Sequence, residues 1–151
     1  GLGMASPELA RTLTCVGANY RVDERIAATL ASVTPERLPL DNPAWAADLA
    51  LQHDPHHAPG YWRELVRQVV ATASSSPAWT PADLARIPLP TLLIAGDDDP
   101  IGNLEQQVAM KRHIPRAELL IVNHAPHIVQ HTHPEVVGDA ILDFLARYPA
   151  G

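Results

Sequence analysis

Two short, uninterrupted apolar runs constrain this chain more than any other feature of its sequence. Residues 91–95 read TLLIA and residues 118–122 read ELLIV, and a helical pattern over 104–112 separates them. A strand that is apolar throughout is typical of a parallel sheet that is covered on both faces. Parallel neighbours need a crossover connection, which is right-handed in nearly all proteins. The two runs therefore predict a βαβ unit in an α/β fold.

The remaining sequence predicts a third buried strand and several helices. Residues 13–18 (LTCVGA) form the additional apolar run, and residues 33–43 are spaced by prolines and read as a connector. Helices are predicted over 23–32, over 44–51 and around an apolar stripe of Trp62, Leu65, Val66, Val69 and Val70. Two capping patterns predict helix starts, Thr80 before Pro81 and the Thr-x-x-Glu pair of Thr132 and Glu135.

Composition limits the class of protein. The 151 residues are 46% hydrophobic, which suits one domain of ordinary size with a buried core. The formal net charge of -6 argues against a nucleic-acid partner, because such proteins present a basic face. No apolar run reaches membrane-span length and no signal-peptide pattern is present, so we expect a soluble, cytoplasmic protein. The single cysteine, Cys15, excludes an internal disulfide and is expected to be a small buried residue.

Residues that can carry chemistry follow both apolar runs. The loop after the first run is GDDDP (96–100), and the loop after the second is NHAPH (123–127). Parallel strands place both loops at the same edge of the sheet, with neighbouring strands only about 5 Å apart. An aspartate of one loop can therefore reach a histidine of the other. A carboxylate that accepts a hydrogen bond from an imidazole is the orienting half of a nucleophile–base–acid triad.

These segments resemble the C-terminal part of α/β-hydrolases. Residues 89–99 (LPTLLIAGDDD) are similar to the late strand that ends in Gly-x-x-Asp, whose last aspartate is the triad acid in that family. Residues 114–122, His127 and Pro134-Glu135 resemble the last strand, the histidine loop and the closing helix. The resemblance is close over 87–148. Residues 7–20 look like the strand after the nucleophile helix.

The resemblance implies a partial hydrolase fold, with the last three strands of a mostly parallel sheet and a small helical cap. Residues 1–20 and 87–151 would form the core part, and residues 21–86 the cap. Asp99 would be the acid and His127 the general base of a serine-type hydrolase, acting on esters, lactones or similar small carbonyl compounds without a cofactor. Because cap residues line the acyl pocket in this family, Tyr61 and Trp62 are candidates for a substrate-binding wall.

Two features depart from the family pattern. Pro126 stands where the family usually has glycine before the catalytic histidine. The sequence contains no Gly-x-Ser-x-Gly nucleophile elbow; the nearest string is GLGMA (1–5), which has glycine at the nucleophile position. We therefore expect the C-terminal part of a hydrolase that is inactive alone.

Alternative interpretations remain for the same residues. Asp97, Asp98 and Asp99 could form a solvated turn that caps the helix at Leu104, and His124 could be a loop residue bonded to backbone. Histidines could bind metal, but no His-Glu-x-x-His motif is present and no metal is expected; the two candidate groups are His124, His127, His131 and His133, and His53, His56 and His57. A non-enzymatic, truncated hydrolase-like module would expose the edge of its first strand and form a homodimer there.

Overall fold

The computed structural model describes residues 2–149, which fall into two compact units. The first unit contains the residues up to Arg21 and those from Ala78 onward, and the second is Val22–Pro77. Residues 78–86, which the sequence assigned to the cap, lie in the first unit. The reason is that Leu84 and Ile87 bury their side chains in the same cluster as Leu93 of the sheet.

The described elements alternate between short strands and helices. The strands are β1 (Leu13–Val16), β2 (Thr91–Gly96) and β3 (Ala117–Val122). In chain order the helices are α1 (Leu2–Ala5), α2 (Glu24–Ser32), α3 (Leu38–Asp41), α4 (Pro43–His53), α5 (Tyr61–Ala73), α6 (Pro81–Leu84), α7 (Leu104–His113), α8 (Val129–Thr132) and α9 (Pro134–Arg147).

The first unit is built on a parallel sheet with the strand order β1–β2–β3. Thr91 pairs with Ala117 and Gly96 with Val122, so β2 and β3 run side by side in the same direction. Leu13 pairs with Thr91 on the other edge of β2. The predicted α/β class and the predicted neighbouring parallel strands are confirmed.

Side chains of β2 alternate between two hydrophobic clusters. Leu93 packs with Leu84 and Met110 on one face, and Ile94 packs with Phe144 on the other. Every residue of β2 is buried, as expected of a central strand with both faces covered. Full burial of a side chain such as Phe144 contributes about 1.5–3 kcal/mol relative to exposure. The strand that precedes the loop of Asp99 is thus held rigidly.

The two predicted helix caps, the N-cap at Thr80 and the capping box of Thr132 and Glu135, have different outcomes. At Thr80 the prediction is confirmed: its Oγ1 accepts the Asp83 N–H at 3.3 Å, and an Asp83 carboxylate oxygen accepts the Thr80 N–H at 2.9 Å. At Thr132 it is wrong. The chain is already helical in α8, so the Thr132 hydroxyl bonds backward to the Val129 carbonyl, and α9 begins after His133 without a side-chain cap.

The second unit is a small helical cluster formed by α2 to α5. Its core consists of Leu38, Ala46, Trp62 and Val66. The stripe predicted for α5 is only partly buried, because Val69 is 55% exposed. The predicted connector over 33–43 contains one helical turn, α3.

No helix within residues 2–149 combines the length and apolar character that a membrane span requires. The cytoplasmic location stays a prediction.

Candidate active site

The loops after β2 and β3 are joined to each other by backbone hydrogen bonds. The Asp97 N–H donates to the Val122 carbonyl and the Asp98 N–H to the Ala125 carbonyl, both at 3.1 Å. Gly96 makes this approach possible, because a Cβ at that position would collide with the Ala125 carbonyl. The two loops therefore form one platform at the carboxyl edge of the sheet.

This platform brings Asp99 and His127 together, the two residues predicted to be the acid and the base. The distance from Asp99 Oδ2 to His127 Nδ1 is 2.8 Å. The Asp99 side chain is 4% exposed, whereas that of His127 is 36% exposed. A buried carboxylate thus holds an imidazole that solvent or a reactant can reach.

The second oxygen of the Asp99 carboxylate is bound by the turn that follows it. Asp99 Oδ1 accepts the Ile101 N–H at 2.8 Å and the Gly102 N–H at 2.6 Å. A Cβ on Gly102 would collide with the carboxylate, so glycine is required there. Burial alone raises the pKa of Asp99, but the hydrogen bonds from His127, Gly102 and Ile101 outweigh it and hold this pKa below its ordinary value of 3.8. Asp99 is therefore an ionised acceptor at neutral pH.

The geometry also determines which ring nitrogen of His127 carries a proton. An ionised carboxylate can only accept, so the nitrogen that faces Asp99, Nδ1, must donate. In the neutral ring Nε2 is then unprotonated and free to accept a proton. Gly17 lies against this ring: a Cβ there would be 2.9 Å from Cε1 and Nδ1.

The side chains of Asp98 and His124 do not contact the Asp99–His127 pair, and that of Asp97 contributes only by accepting the Ala125 N–H at Oδ1, at 3.4 Å. Asp97 and Asp98 are exposed, and the N-cap of α7 is Asn103, whose Oδ1 accepts the Glu105 N–H at 2.9 Å. His124 is 92% exposed and lies 3.8 Å from the Asp98 carboxylate. It also adopts the left-handed backbone conformation (φ 55°), so the loop that contains Pro126 turns at His124.

The predicted substrate-wall residues lie in the second unit. Trp62 is buried in the core of that unit, and the Tyr61 ring stacks on His57 with 3.8 Å between centroids. Their role in substrate binding stays a prediction. Within residues 2–149 no three histidine, cysteine or carboxylate side chains converge as a metal site would require.

Sequence reasoning missed the polar residues that connect the segment after β1 to this platform. Asn103, Gln106 and Gln107 are all buried at the start of α7. A signal for them exists in the sequence, since two adjacent glutamines occupy a helix that crosses between buried strands. Asn19 follows its apolar strand directly, as the other two polar loops do.

Comparison with known proteins identifies the family. Residues 3–140 match the family model described as "Alpha/beta hydrolase family". The chain belongs to the alpha/beta hydrolase family. The roles of Asp99 as acid and His127 as base, which the sequence resemblance implied, stay predictions.

The chain is also similar to individual proteins of known sequence or structure. It is 41% identical over 64 residues to a Synechocystis sp. protein provisionally named a non-heme chloroperoxidase, a match that covers 42% of this chain and 23% of that protein. The structure of MGS-M2, an alpha/beta hydrolase from a deep-sea metagenome library, matches with a TM-score of 0.71 and 15% identity, over 99% of this chain and 61% of that one. A thermophilic esterase matches with a TM-score of 0.64 and 22% identity, over 99% and 62%.

The chain thus spans about three fifths of the length of these solved structures. The nucleophile elbow is absent from its 151 residues. Of the string GLGMA, Leu2–Ala5 form α1, and Gly1 lies outside the described residues. What the described residues hold is the Asp99–His127 contact, whose roles as acid and base stay predictions.

Proposed function

We propose that this chain is the C-terminal part of a serine-type hydrolase that acts on esters, lactones or similar small carbonyl compounds, and that it is inactive alone. One observation carries the proposal: a buried, ionised carboxylate 2.8 Å from Nδ1 of a half-exposed imidazole. A histidine that is oriented in this way presents an unprotonated Nε2, the form that a general base requires.

In the proposed reaction, His127 Nε2 removes the proton from a serine hydroxyl that lies outside this sequence. The hydroxyl oxygen then attacks the carbonyl carbon, the C–O bond to the alcohol or ring oxygen breaks, and His127 gives that oxygen the proton, which leaves an acyl-serine. His127 next removes a proton from a water molecule that attacks the acyl carbon and returns it to the serine oxygen, which releases the acid. Asp99 stabilises the imidazolium that forms in each half of this reaction. The structural similarity to a thermophilic esterase supports an ester substrate, and family membership supports a serine nucleophile.

A second candidate function is a non-enzymatic module that self-associates. It is favoured by the position of β1, which in residues 2–149 pairs with β2 on one edge and with no strand on the other. An open strand edge can pair with the same edge of a second copy. This candidate predicts a dimer by sedimentation, which substitution of Thr14 by proline would dissociate; a monomer at high concentration would contradict it.

The DNA upstream of the Gly1 codon distinguishes the two candidates. The hydrolase proposal predicts an in-frame Gly-x-Ser-x-Gly segment there. The longer protein should hydrolyse p-nitrophenyl acetate, and His127→Ala should lower kcat by about 10⁴ or more. His124→Ala is the matched control, because His124 lies in the same loop and is exposed.

The 151-residue chain itself should give no burst of p-nitrophenol. A burst that His127→Ala abolishes would contradict the proposal that it is inactive alone. Absence of an elbow upstream, or equal loss of activity in both histidine variants of the longer protein, would contradict the hydrolase proposal.

A further inference from the structure

Residues 17–21, which follow β1 and are called the β1 loop here, contact His127 and the turn that binds Asp99. Gly17 lies against the His127 ring. Two residues further on, Asn19 Oδ1 accepts the Asn103 N–H at 3.0 Å, and Asn19 Nδ2 donates to the Ile101 carbonyl at 3.4 Å. One short segment therefore reaches the imidazole directly and the carboxylate through a turn.

That turn, residues 101–103, links Asn19 to Asp99 through consecutive amides. The N–H groups of Ile101 and Gly102 donate to Asp99, and the next N–H, that of Asn103, donates to Asn19. Since peptide groups are planar and joined at Cα atoms, rotating one of them redirects its neighbours. Asn19 thus fixes the direction of the amides that hold the carboxylate.

The β1 loop is in turn anchored on α7 by two buried glutamines. Gln106 Oε1 accepts the N–H groups of Tyr20 and Arg21, both at 3.2 Å, and its Nε2 donates to the Arg21 carbonyl at 3.0 Å. Gln107 Nε2 donates to the Ala18 carbonyl. The loop is therefore held on both sides of Asn19, which makes Asn19 a fixed support rather than a mobile one.

We propose that Asn19 is a positioning residue of this site. Through the turn 101–103 it sets the direction of the Asp99 carboxylate and so the orientation of the His127 ring. Asn19 acts on reacting atoms only through Asp99, and the inference rests on the proposed function, in which Asp99 orients His127.

The test is amide and imidazole NMR on the chain and its Asn19→Ala variant. Loss of one neutral hydrogen bond should speed hydrogen exchange of the Ile101 and Gly102 amides about fivefold to tenfold. The proton on His127 Nδ1 should exchange faster with water, so its signal should broaden. Asn42→Ala is the matched control: Asn42 Oδ1 also accepts a backbone N–H, from Trp45 at 3.1 Å, but in the second unit. It should change neither readout.

Unchanged exchange and an unchanged imidazole signal in Asn19→Ala would overturn the inference. If that variant does not fold, hydrogen exchange of the unsubstituted chain still tests the inference. Rapid exchange of its Asn103 amide would show that Asn19 does not bind this amide and would overturn the inference. The Asp99→Asn variant distinguishes failure of the proposed function from failure of the role of Asn19. If Asp99→Asn leaves the His127 Nδ1 proton signal unchanged, the proposed function fails. If Asp99→Asn removes that signal and Asn19→Ala has no effect, only the role of Asn19 fails.

Discussion

Replacing Asp99 by asparagine should destabilise the first unit at neutral pH. The ionised carboxylate accepts from His127, Ile101 and Gly102 at 2.6–2.8 Å, and hydrogen bonds to a charged group contribute more than neutral ones. An asparagine oxygen can still accept the two backbone N–H groups, but only as neutral bonds. Its amide nitrogen would face His127 Nδ1, so the neutral ring must move its proton to Nε2, and the bond between the two side chains also becomes a neutral one. Burying a neutral amide costs less than burying a carboxylate, which offsets part of this loss. The net decrease in the free energy of unfolding should be about 2 kcal/mol.

The same substitution should alter how stability depends on pH. Because the pKa of Asp99 is lowered in the folded protein, its stabilisation is fully present above its ordinary value of 3.8 and is lost as the pH falls through the folded-state pKa. The stability difference between the original protein and Asp99→Asn should therefore be largest near neutral pH. This difference should shrink as the pH drops below 3.8 and the Asp99 carboxyl becomes protonated, because the protonated carboxyl and the asparagine amide are both uncharged.

Urea unfolding monitored by the amide signals of β2 is the assay, since it reports on the first unit alone. Asp98→Asn is the matched control, because the neighbouring Asp98 side chain is 69% exposed and should change stability little. Equal unfolding free energies for the two variants at pH 7 would refute the reasoning. A difference that persists undiminished at the lowest pH would refute the assigned charge state.

Three further substitutions test other parts of the account. Gly17→Ala should cost about 1–2 kcal/mol because the backbone at Gly17 is left-handed (φ 60°), and should shift the His127 ring signals; unchanged ring signals would contradict the contact. Phe144→Ala should lower the unfolding free energy by about 3–5 kcal/mol, since Phe144 is fully buried under the sheet; a loss below about 1 kcal/mol in urea unfolding would contradict that packing. Thr80→Ala should cost about 0.5–2 kcal/mol in urea unfolding by removing the α6 cap, whereas Thr80→Ser should retain most of it; equal losses would argue against the cap.

The sheet and the proximity of the loops that carry Asp99 and His127 could be predicted from sequence because local patterns encode the strands. Residues 91–95 and 118–122 are apolar at nearly every position, which is typical of strands in a covered parallel sheet. The structure buries all of β2, whereas Ile121 of the edge strand β3 is 40% exposed. Once these strands are parallel neighbours, the topology places the loops 96–100 and 123–127 at one edge, and the resemblance to α/β-hydrolases selects Asp99 and His127 within them. No knowledge of side-chain contacts was needed.

The supporting contacts could not be predicted because they join residues far apart in sequence. Gln106 binds the backbone of Tyr20 and Arg21 across 86 and 85 positions, and no periodic pattern records such a bond. The start of α9 was mispredicted for a related reason. The Thr132–Glu135 pattern is locally sound, but packing of Val129 into the core makes the preceding turn helical and redirects the Thr132 hydroxyl.

The tautomer of His127 tests the central claim most directly. With the rings neutral, ¹⁵N chemical shifts of uniformly labelled protein report which nitrogen of each histidine carries the proton. We predict the proton on Nδ1 of His127, held by Asp99, and its transfer to Nε2 in Asp99→Asn, whose side-chain amide leaves Nδ1 to act as acceptor. A proton on Nε2 of His127 in both proteins would contradict the pairing, and with it the assignment of the acid and the base.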